Sequence, residues 1–346
     1  MGASCADQAT SDERCSSDHD DITPRVPLNR AQSSTSGERS RPSNLPIAST
    51  ASKVTTVTTR IEECPACLGR DLQVARIGVW GTSDLVACRT CRTEFLSPQP
   101  SDARLSEIYS GEYYTPWAFE TAEAVDAMKR ETFEPMLLAC QLDSGCSLLD
   151  LGCATGSFLA EAARRGASTY GIDLNPEAIQ RAQERAPDAH LHTGVAADYP
   201  FPGVRFDAVV MIDFIEHVRD PERELAVVRE ITRPGSRLVI STPRVDSLFR
   251  TFARRHWPQY REEHLTYFSL NGIRALLRRV GFSVVEVTST RKAITLAYAY
   301  GQAVAYPVPL LSPATSLAYR LLPPMRHRTL RIAMGEMTVV AVRNAG

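Results

Sequence analysis

A charge excess of one sign, a disulfide-dense composition and internal repeats are all missing from this 346-residue chain. Nine cysteines in that length are too few for a disulfide scaffold, and no basic start followed by an apolar core opens the sequence. A reducing cytoplasm is therefore the expected setting. Lys and Arg number 39 against 40 Asp and Glu, a formal net charge of -1, which excludes a protein whose main business is coating nucleic acid. Any basic surface must be local. What the chain does have is 43% hydrophobic and 23% charged residues, enough to bury one sizeable core and a small second module.

Residues 1–55 are rich in Ser, Thr, Asp, Arg, Pro and Gly, with hardly a paired apolar residue. Such a composition cannot offset chain entropy by burial, and a disordered tail is expected. From Val54 to about Pro98 the sequence is short and strand-like. Helix-compatible runs follow at Ala103 to Ile108 and Ala118 to Leu142, and between them Gly111 and Pro116 break the period. Residues 99–136 then read as a helical connector whose Tyr113 and Tyr114 close over a ligand. From Ser147 onward apolar strands alternate with amphipathic helices, the pattern of a parallel sheet covered on both faces. The strands fall at Ser147–Leu151, Ser168–Leu174, His190–Thr193, Asp207–Ile212 and Arg237–Ser241, with two more at Ser283–Thr288 and Thr338–Val342. Asn175 and Ser269 are placed to cap helices, and Gly281 to end one.

The strongest chemical signal is Leu148-Leu-Asp-Leu-Gly-Cys-Ala-Thr-Gly-Ser157, a strand that ends in a Gly-containing turn and runs into a helix. The G-x-G-x-x-G spacing of a pyrophosphate-binding turn is absent. Instead Asp150 stands two positions before Gly152, and a carboxylate there repels pyrophosphate but suits a cationic amino-acid and sulfonium ligand. One β-α-β unit later Asp173 ends the next strand, where a carboxylate can accept both hydroxyls of a ribose. The bland alternative is a tight turn at Gly152 and Gly156 with Asp173 as a cap.

On these residues the chain from about Leu137 to Val342 resembles the class I S-adenosylmethionine-dependent methyltransferases. The resemblance implies a doubly wound, seven-stranded Rossmann-like α/β sheet. It places the family's cofactor motif on Asp150, Gly152, Ala154 and Gly156, with Ala154 where a glycine is frequent, and the ribose acid on Asp173 with Leu174 beside it. Gly194 to Phe201 resembles the adenine-edge segment, with Val195 where an Asp is common, so backbone N–H groups near Ala196 are the expected contacts. Phe206 to Pro221 matches the fourth strand and its loop, including the Glu216-His217 pair seen in many small-molecule members. Asp213 would stand beside the methyl donor, and His217 is the best general-base candidate. The bland reading is that Glu216 and His217 orient a loop. The aromatic, His-rich insert His256 to Phe268 resembles branches that modify sugars, quinones and other metabolites. There His264, Tyr260 and Tyr267 line an acceptor pocket, or Leu265 and Phe268 simply anchor the segment to the core.

Cys64-Pro-Ala-Cys67 and Cys88-Arg-Thr-Cys91, with 20 residues between the pairs, have the arrangement of a zinc ribbon over residues 56–98. Four thiolates leave a zinc ion no open position, hence a structural role. A redox pair would need only one such motif in a thioredoxin-like context.

Between Val287 and Gly335 there is no Asp or Glu, while Arg291, Lys292, Arg320, Arg326, Arg328 and Arg331 are basic. Gly301, Pro307, Pro309 and Pro313 argue against a spanning helix, so a lid with basic edges is expected. Its bland form is a helical cover for the last two strands; its sharper form meets an anionic or lipid-linked acceptor, with peripheral membrane contact through 293–331. The sequence thus points to methyl transfer onto a small-molecule, sugar or lipid-linked acceptor, most readily at oxygen. A C- or N-methyltransferase and a non-catalytic zinc-ribbon scaffold are the alternatives. No nucleic-acid partner is expected, because the ribbon has few bases and the Asn/Asp-Pro-Pro-Tyr/Phe motif is absent.

Overall fold

In the computed structural model, residues 60–109, 122–198, 200–305 and 311–345 are described. The N-terminal tail, Tyr113 and Tyr114 lie outside them.

Two sheets organise the chain. The small one begins with β1 (Leu72–Trp80), β2 (Ser83–Cys88) and β3 (Glu94–Ser97), an antiparallel meander. Two helices lead on, α1 (Asp102–Tyr109) and α2 (Ala122–Cys140). The large sheet then alternates β4 (Ser147–Leu151), α3 (Ser157–Arg164), β5 (Ser168–Asp173), α4 (Pro176–Arg185), β6 (His190–Thr193), β7 (Phe206–Ile212), α5 (Pro221–Ile231) and β8 (Thr232–Pro243). After β8 come α6 (Leu248–Ala253), the two-residue β9 (Thr266–Tyr267), α7 (Leu270–Arg279), β10 (Phe282–Thr295), α8 (Leu296–Ala305), α9 (Leu311–Leu321) and β11 (Thr329–Arg343).

The seven-stranded order is β10-β11-β8-β7-β4-β5-β6. β4 to β8 pair in parallel, and β11 runs against both of its neighbours. From β4 the chain winds one way through β5 and β6 and the other way through β7 and β8. The carboxyl end of β4 is therefore the switch point, where open α/β sheets leave a crevice for a ligand. This is the doubly wound architecture expected.

Alternate residues of the central strands feed two cores. Leu149, Val209, Met211 and Ile240 pack with Leu225 and Val228 of α5 and with Ile273, Leu276 and Leu277 of α7. Leu148, Val210 and Val239 pack on the other face with Met136 and Leu137 of α2 and Phe158 and Leu159 of α3. Each wholly buried side chain of this size contributes about 1.5–3 kcal/mol. The caps are where the sequence places them. Asn175 accepts from Glu177 and Ala178 N–H with Pro176 in the first turn, and Ser269 accepts from Gly272 N–H.

Two features go beyond the sequence reading. First, the small sheet of the ribbon segment is completed by a distant strand. β3 pairs with β9 from the distant insert, through Glu94↔Tyr267 and Phe95↔Thr266, and Cys64, Cys88, Cys91 and Phe95 belong to the same core as β7 and α7. Second, the last two strands are far longer than the apolar runs that announce them. Only Glu336–Val342 of β11 pairs with β8, so the Lys292–Thr295 and Thr329–Ile332 rungs of the β10–β11 hairpin lie beyond that pairing. Hydrophobic patterning finds the part of a strand paired within the central sheet and misses this extension, whose Ala293, Ile294 and Thr295 are buried, with Ala293 N–H donating to Thr132 Oγ1 of α2.

Candidate active site and cysteine cluster

The turn between β4 and α3 is folded over the end of β5. Gly152 and Cys153 N–H both donate to Ile172 O, at 2.9 and 3.1 Å. Gly152 (φ +79°) and Gly156 (φ +71°) are left-handed, and a Cβ on them would come within 2.7 Å of the Phe214 ring and 2.9 Å of Ala182 respectively. Ala154 is also left-handed, at φ +46°, a conformation that costs an L-residue about 1–2 kcal/mol. The turn holds it because Ala154 N–H donates to Asp173 Oδ2 at 2.9 Å. The other oxygen, Asp173 Oδ1, accepts from Asn175 N–H at 2.9 Å. Each carboxylate oxygen keeps a lone pair for a further donor such as a ribose hydroxyl.

Asp150 is almost wholly buried at the end of β4. Burial, with the nearby Asp173 charge, raises its carboxyl from 3.8 to about 8. Neither Asp150 nor Asp173 has a cationic side chain in salt-bridge range among the described residues, so the pair at the switch point fits a ligand that brings its own positive charge. Leu174 is 70% exposed beside Asp173, an apolar surface at the mouth of the turn. Ala196 buries its side chain and opens a short 3-10 turn, which leaves only its backbone for a ligand. Gly194 N–H donates to Asp173 O at 3.0 Å and ties this segment to β5.

At the end of β7, Asp213 is left-handed (φ +50°). Lys292 Nζ of β10 lies 2.9 Å from Asp213 Oδ2 and 2.9 Å from Glu336 Oε1 of β11. Burial opposes the lysine charge, but the two carboxylates outweigh it and hold the ammonium protonated. Lys292 carries no motif signal, since 79 residues separate it from its partner. The sequence shows it only as a basic flank of the lid.

After Phe214 a 3-10 turn spans Ile215–His217. Glu216 is fully buried. Its Oε2 accepts from Thr242 Oγ1 at 2.9 Å, while Oε1 has no partner. Burial, with the neighbouring Asp213 charge, pushes its carboxyl well above the usual range. His217 Nδ1 lies 3.0 Å from Glu263 O and 2.9 Å from Tyr109 Oη. Because the carbonyl can only accept, the neutral ring carries its proton on Nδ1 and its lone pair on Nε2. Burial lowers the His217 imidazole to about 4. His264 stands edge-on to it, ring centroids 4.7 Å apart, with Nδ1 at 2.8 Å from Gln259 O. Glu216, His217 and His264 each offer a ligand atom within 4.8 Å of the others, so this trio has the donors for a divalent cation.

The insert is anchored rather than open. Tyr267 is fully buried and its hydroxyl donates to Arg261 O at 2.7 Å. Tyr260 donates to Glu94 Oε2 at 2.6 Å, and Arg250 pairs with the same carboxylate. Leu265 and Phe268 are completely buried. Of the two readings of the insert, this geometry matches the anchoring one, since both tyrosine hydroxyls are engaged within the small sheet and the insert. The insert instead backs the site: Leu265 N–H donates to Glu216 O at 2.8 Å, and Leu96 N–H of β3 donates to Leu265 O at 3.0 Å.

The four ribbon cysteines converge. Cys64 and Cys91 Sγ are 3.6 Å apart, as are Cys67 and Cys88, and all four sulfurs lie within 4.8 Å of one another. Tetrahedral thiolates at about 2.3 Å from zinc would stand about 3.8 Å apart, so the donor set fits that ion. The cluster is bound to the large sheet's helix layer by Ser269 Oγ, which donates to Cys91 O at 2.5 Å, and by Arg279 Nη1, which donates to Ala66 O at 2.9 Å.

A family model described as a methyltransferase domain matches residues 121–287. The O-methyltransferase cnsE of Penicillium expansum is 31% identical over 201 residues, covering 54% of this chain and 69% of that protein. A ubiquinone biosynthesis O-methyltransferase of Cereibacter sphaeroides is 37% identical over 102 residues, 28% of this chain and 41% of that one. The demethylmenaquinone methyltransferase of Tropheryma whipplei is 32% identical over 131 residues, 35% of this chain and 55% of that one. Against the two quinone enzymes the chain therefore spans about half their length or less.

Proposed function

The chain belongs to the class I S-adenosylmethionine-dependent methyltransferases, and from that premise we propose that it methylates a small, hydroxylated and largely apolar acceptor on oxygen. The observation that carries this reading is the His217–His264–Glu216 cluster at the carboxyl end of β7, one strand from the turn at the end of β4. The O-methylating relatives, one of them a ubiquinone biosynthesis enzyme, support the same choice.

When bound, S-adenosylmethionine supplies a methyl group on a sulfonium, an electrophile that needs only alignment and a proton acceptor. The protein's own residues divide that work. Asp173 receives the ribose hydroxyls on the lone pairs its backbone donors leave open. Asp150 and the Gly152–Gly156 turn hold the cationic amino-acid end. Leu174 and the backbone at Ala196 flank the adenine. Asp213, fixed by Lys292, stands at the β7 edge of the crevice. His217, with Nδ1 on Glu263 O, would take the acceptor's proton at Nε2. A base lowered to about 4 suffices, because an oxygen becomes strongly acidic as it is methylated, and the imidazole is neutral at pH 7. We assign structural zinc to Cys64, Cys67, Cys88 and Cys91, where it fixes the strand that backs His217.

The unpartnered Glu216 Oε1 favours a second reading, in which Glu216, His217 and His264 hold a divalent cation that binds the acceptor oxygen. The deciding experiment incubates the protein with methyl-labelled donor and phenol, sugar, amine and carbon-acid acceptors, and reads products by mass spectrometry. O-methyl product is expected, with His217→Ala lowering turnover about a hundredfold or more and leaving donor affinity unchanged. Transfer to amines alone would overturn the assignment to oxygen. Activity restored by magnesium or manganese after chelation would favour the second reading.

A further inference from the structure

We propose that α8, α9 and the outer half of the β10–β11 hairpin form a surface that docks on an anionic lipid bilayer. This arm leaves the sheet where β11 stops pairing with β8, and α9 has no buried residue at all. Leu311, Leu317 and Leu321 fall within about 120° of helical arc, and they are 49%, 57% and 67% exposed. Val304, Leu322, Leu330 and Ile332 add exposed apolar surface on the neighbouring segments. Between α9 and the hairpin runs an apolar groove of about 250 Å³, lined among others by Ile294, Leu296, Ala314, Ala318 and Ile332. Exposed apolar side chains beside an apolar groove are the kind of surface that marks an interaction site.

The charges identify the partner. No acid occurs between Val287 and Gly335. Of the six bases, Lys292 is held by Asp213 and Glu336, Arg331 lies 3.6 Å from Glu131, and Arg326 stacks on the Tyr319 ring. Arg291, Arg320 and Arg328 have no ion pair among the described residues, and all three are exposed. A face that combines exposed leucines with three exposed arginines that have no ion pair among the described residues complements a surface that is apolar below and anionic above. The leucines enter the acyl boundary while the arginines reach the phosphates. A second copy of the chain would set the same cations against one another. No described helix is long and apolar enough to cross a membrane, so the contact is peripheral. Because Lys292 roots the arm beside Asp213, docking would place the crevice near the bilayer.

Co-sedimentation of the full chain with phosphatidylcholine vesicles, with and without phosphatidylglycerol, tests the proposal independently of any activity. Binding to the anionic vesicles is expected at low salt and should be lost at high salt. Arg320→Gln and Arg328→Gln should each lower partitioning about fivefold, the factor for about 1 kcal/mol per base. Leu317→Asp combined with Leu321→Asp should reduce it to the level seen with neutral vesicles. Unchanged S-adenosylmethionine affinity by calorimetry shows that the variants are folded, and the arginine changes remain informative if the leucine pair is not. Absence of binding to anionic vesicles, or equal binding to both kinds at both salts, overturns the proposal. So does a dimer in solution that the leucine substitutions dissociate, which would make this face a contact between copies.

Discussion

Replacing Asp150 by asparagine should move stability and cofactor affinity in opposite directions. The carboxyl is raised from 3.8 to about 8 by burial and by Asp173, whereas in the unfolded chain it titrates at about 3.9. Between those values the folded protein binds the extra proton, so stability is fully present below about pH 4 and declines as pH rises towards about 8. Each pH unit of that interval corresponds to about 1.4 kcal/mol, which sets a ceiling on the order of 5 kcal/mol for the loss at pH 8. The Asp150→Asn change keeps the shape and removes the charge. Recovering even about 2 kcal/mol would raise the melting temperature at pH 8 by roughly 4–8 °C, with little change at pH 5. Donor binding should behave differently, since a sulfonium and an ammonium near the turn favour ionised Asp150. From pH 5 to 7 the affinity of the parent protein should increase with pH, by at most about tenfold per unit, with proton release on binding. The variant should bind weakly and without that slope. Scanning calorimetry at pH 5 and 8, and titration calorimetry in buffers of different ionisation enthalpy, read both effects. A variant that melts lower at pH 8 by as much as at pH 5, or a parent whose affinity ignores pH, would refute the argument.

Asp173→Ala should weaken S-adenosylmethionine binding by at least about 1.5–3 kcal/mol, because it removes the charged acceptor for the ribose. It also releases Ala154 N–H, so part of the loss should reappear as a lower melting temperature, and calorimetry of both quantities separates the two. Elemental analysis should find one zinc per chain, and Cys88→Ser should abolish it. Since β9 closes the ribbon sheet and backs His217, zinc removal should also loosen amide-exchange protection at Leu265 and around Glu216, and not at the ribbon alone.

The turn proposed to hold the cofactor was legible in the sequence because its geometry is local. Asp150, Gly152 and Gly156 lie in one turn, and Asp173 follows after one β-α-β unit, so strand periodicity and the end of each strand place them together. The caps at Asn175 and Ser269 and the two cysteine knuckles are local in the same sense. The acceptor half depends on contacts between segments remote in the chain, which no period encodes. Tyr260 and Tyr267 have the composition of a pocket, but their hydroxyls found Glu94 Oε2 and Arg261 O, which makes them anchors of the small sheet and the insert. Lys292 became a partner of Asp213 only because β10 lies against β11 and β11 against β8. Composition alone set the basic, acid-free character of the segment after Val287. Only the tertiary structure decided that Leu311, Leu317 and Leu321 face outward, because α9, which carries them, lies beyond the rungs where β11 pairs with β8 and buries none of its residues.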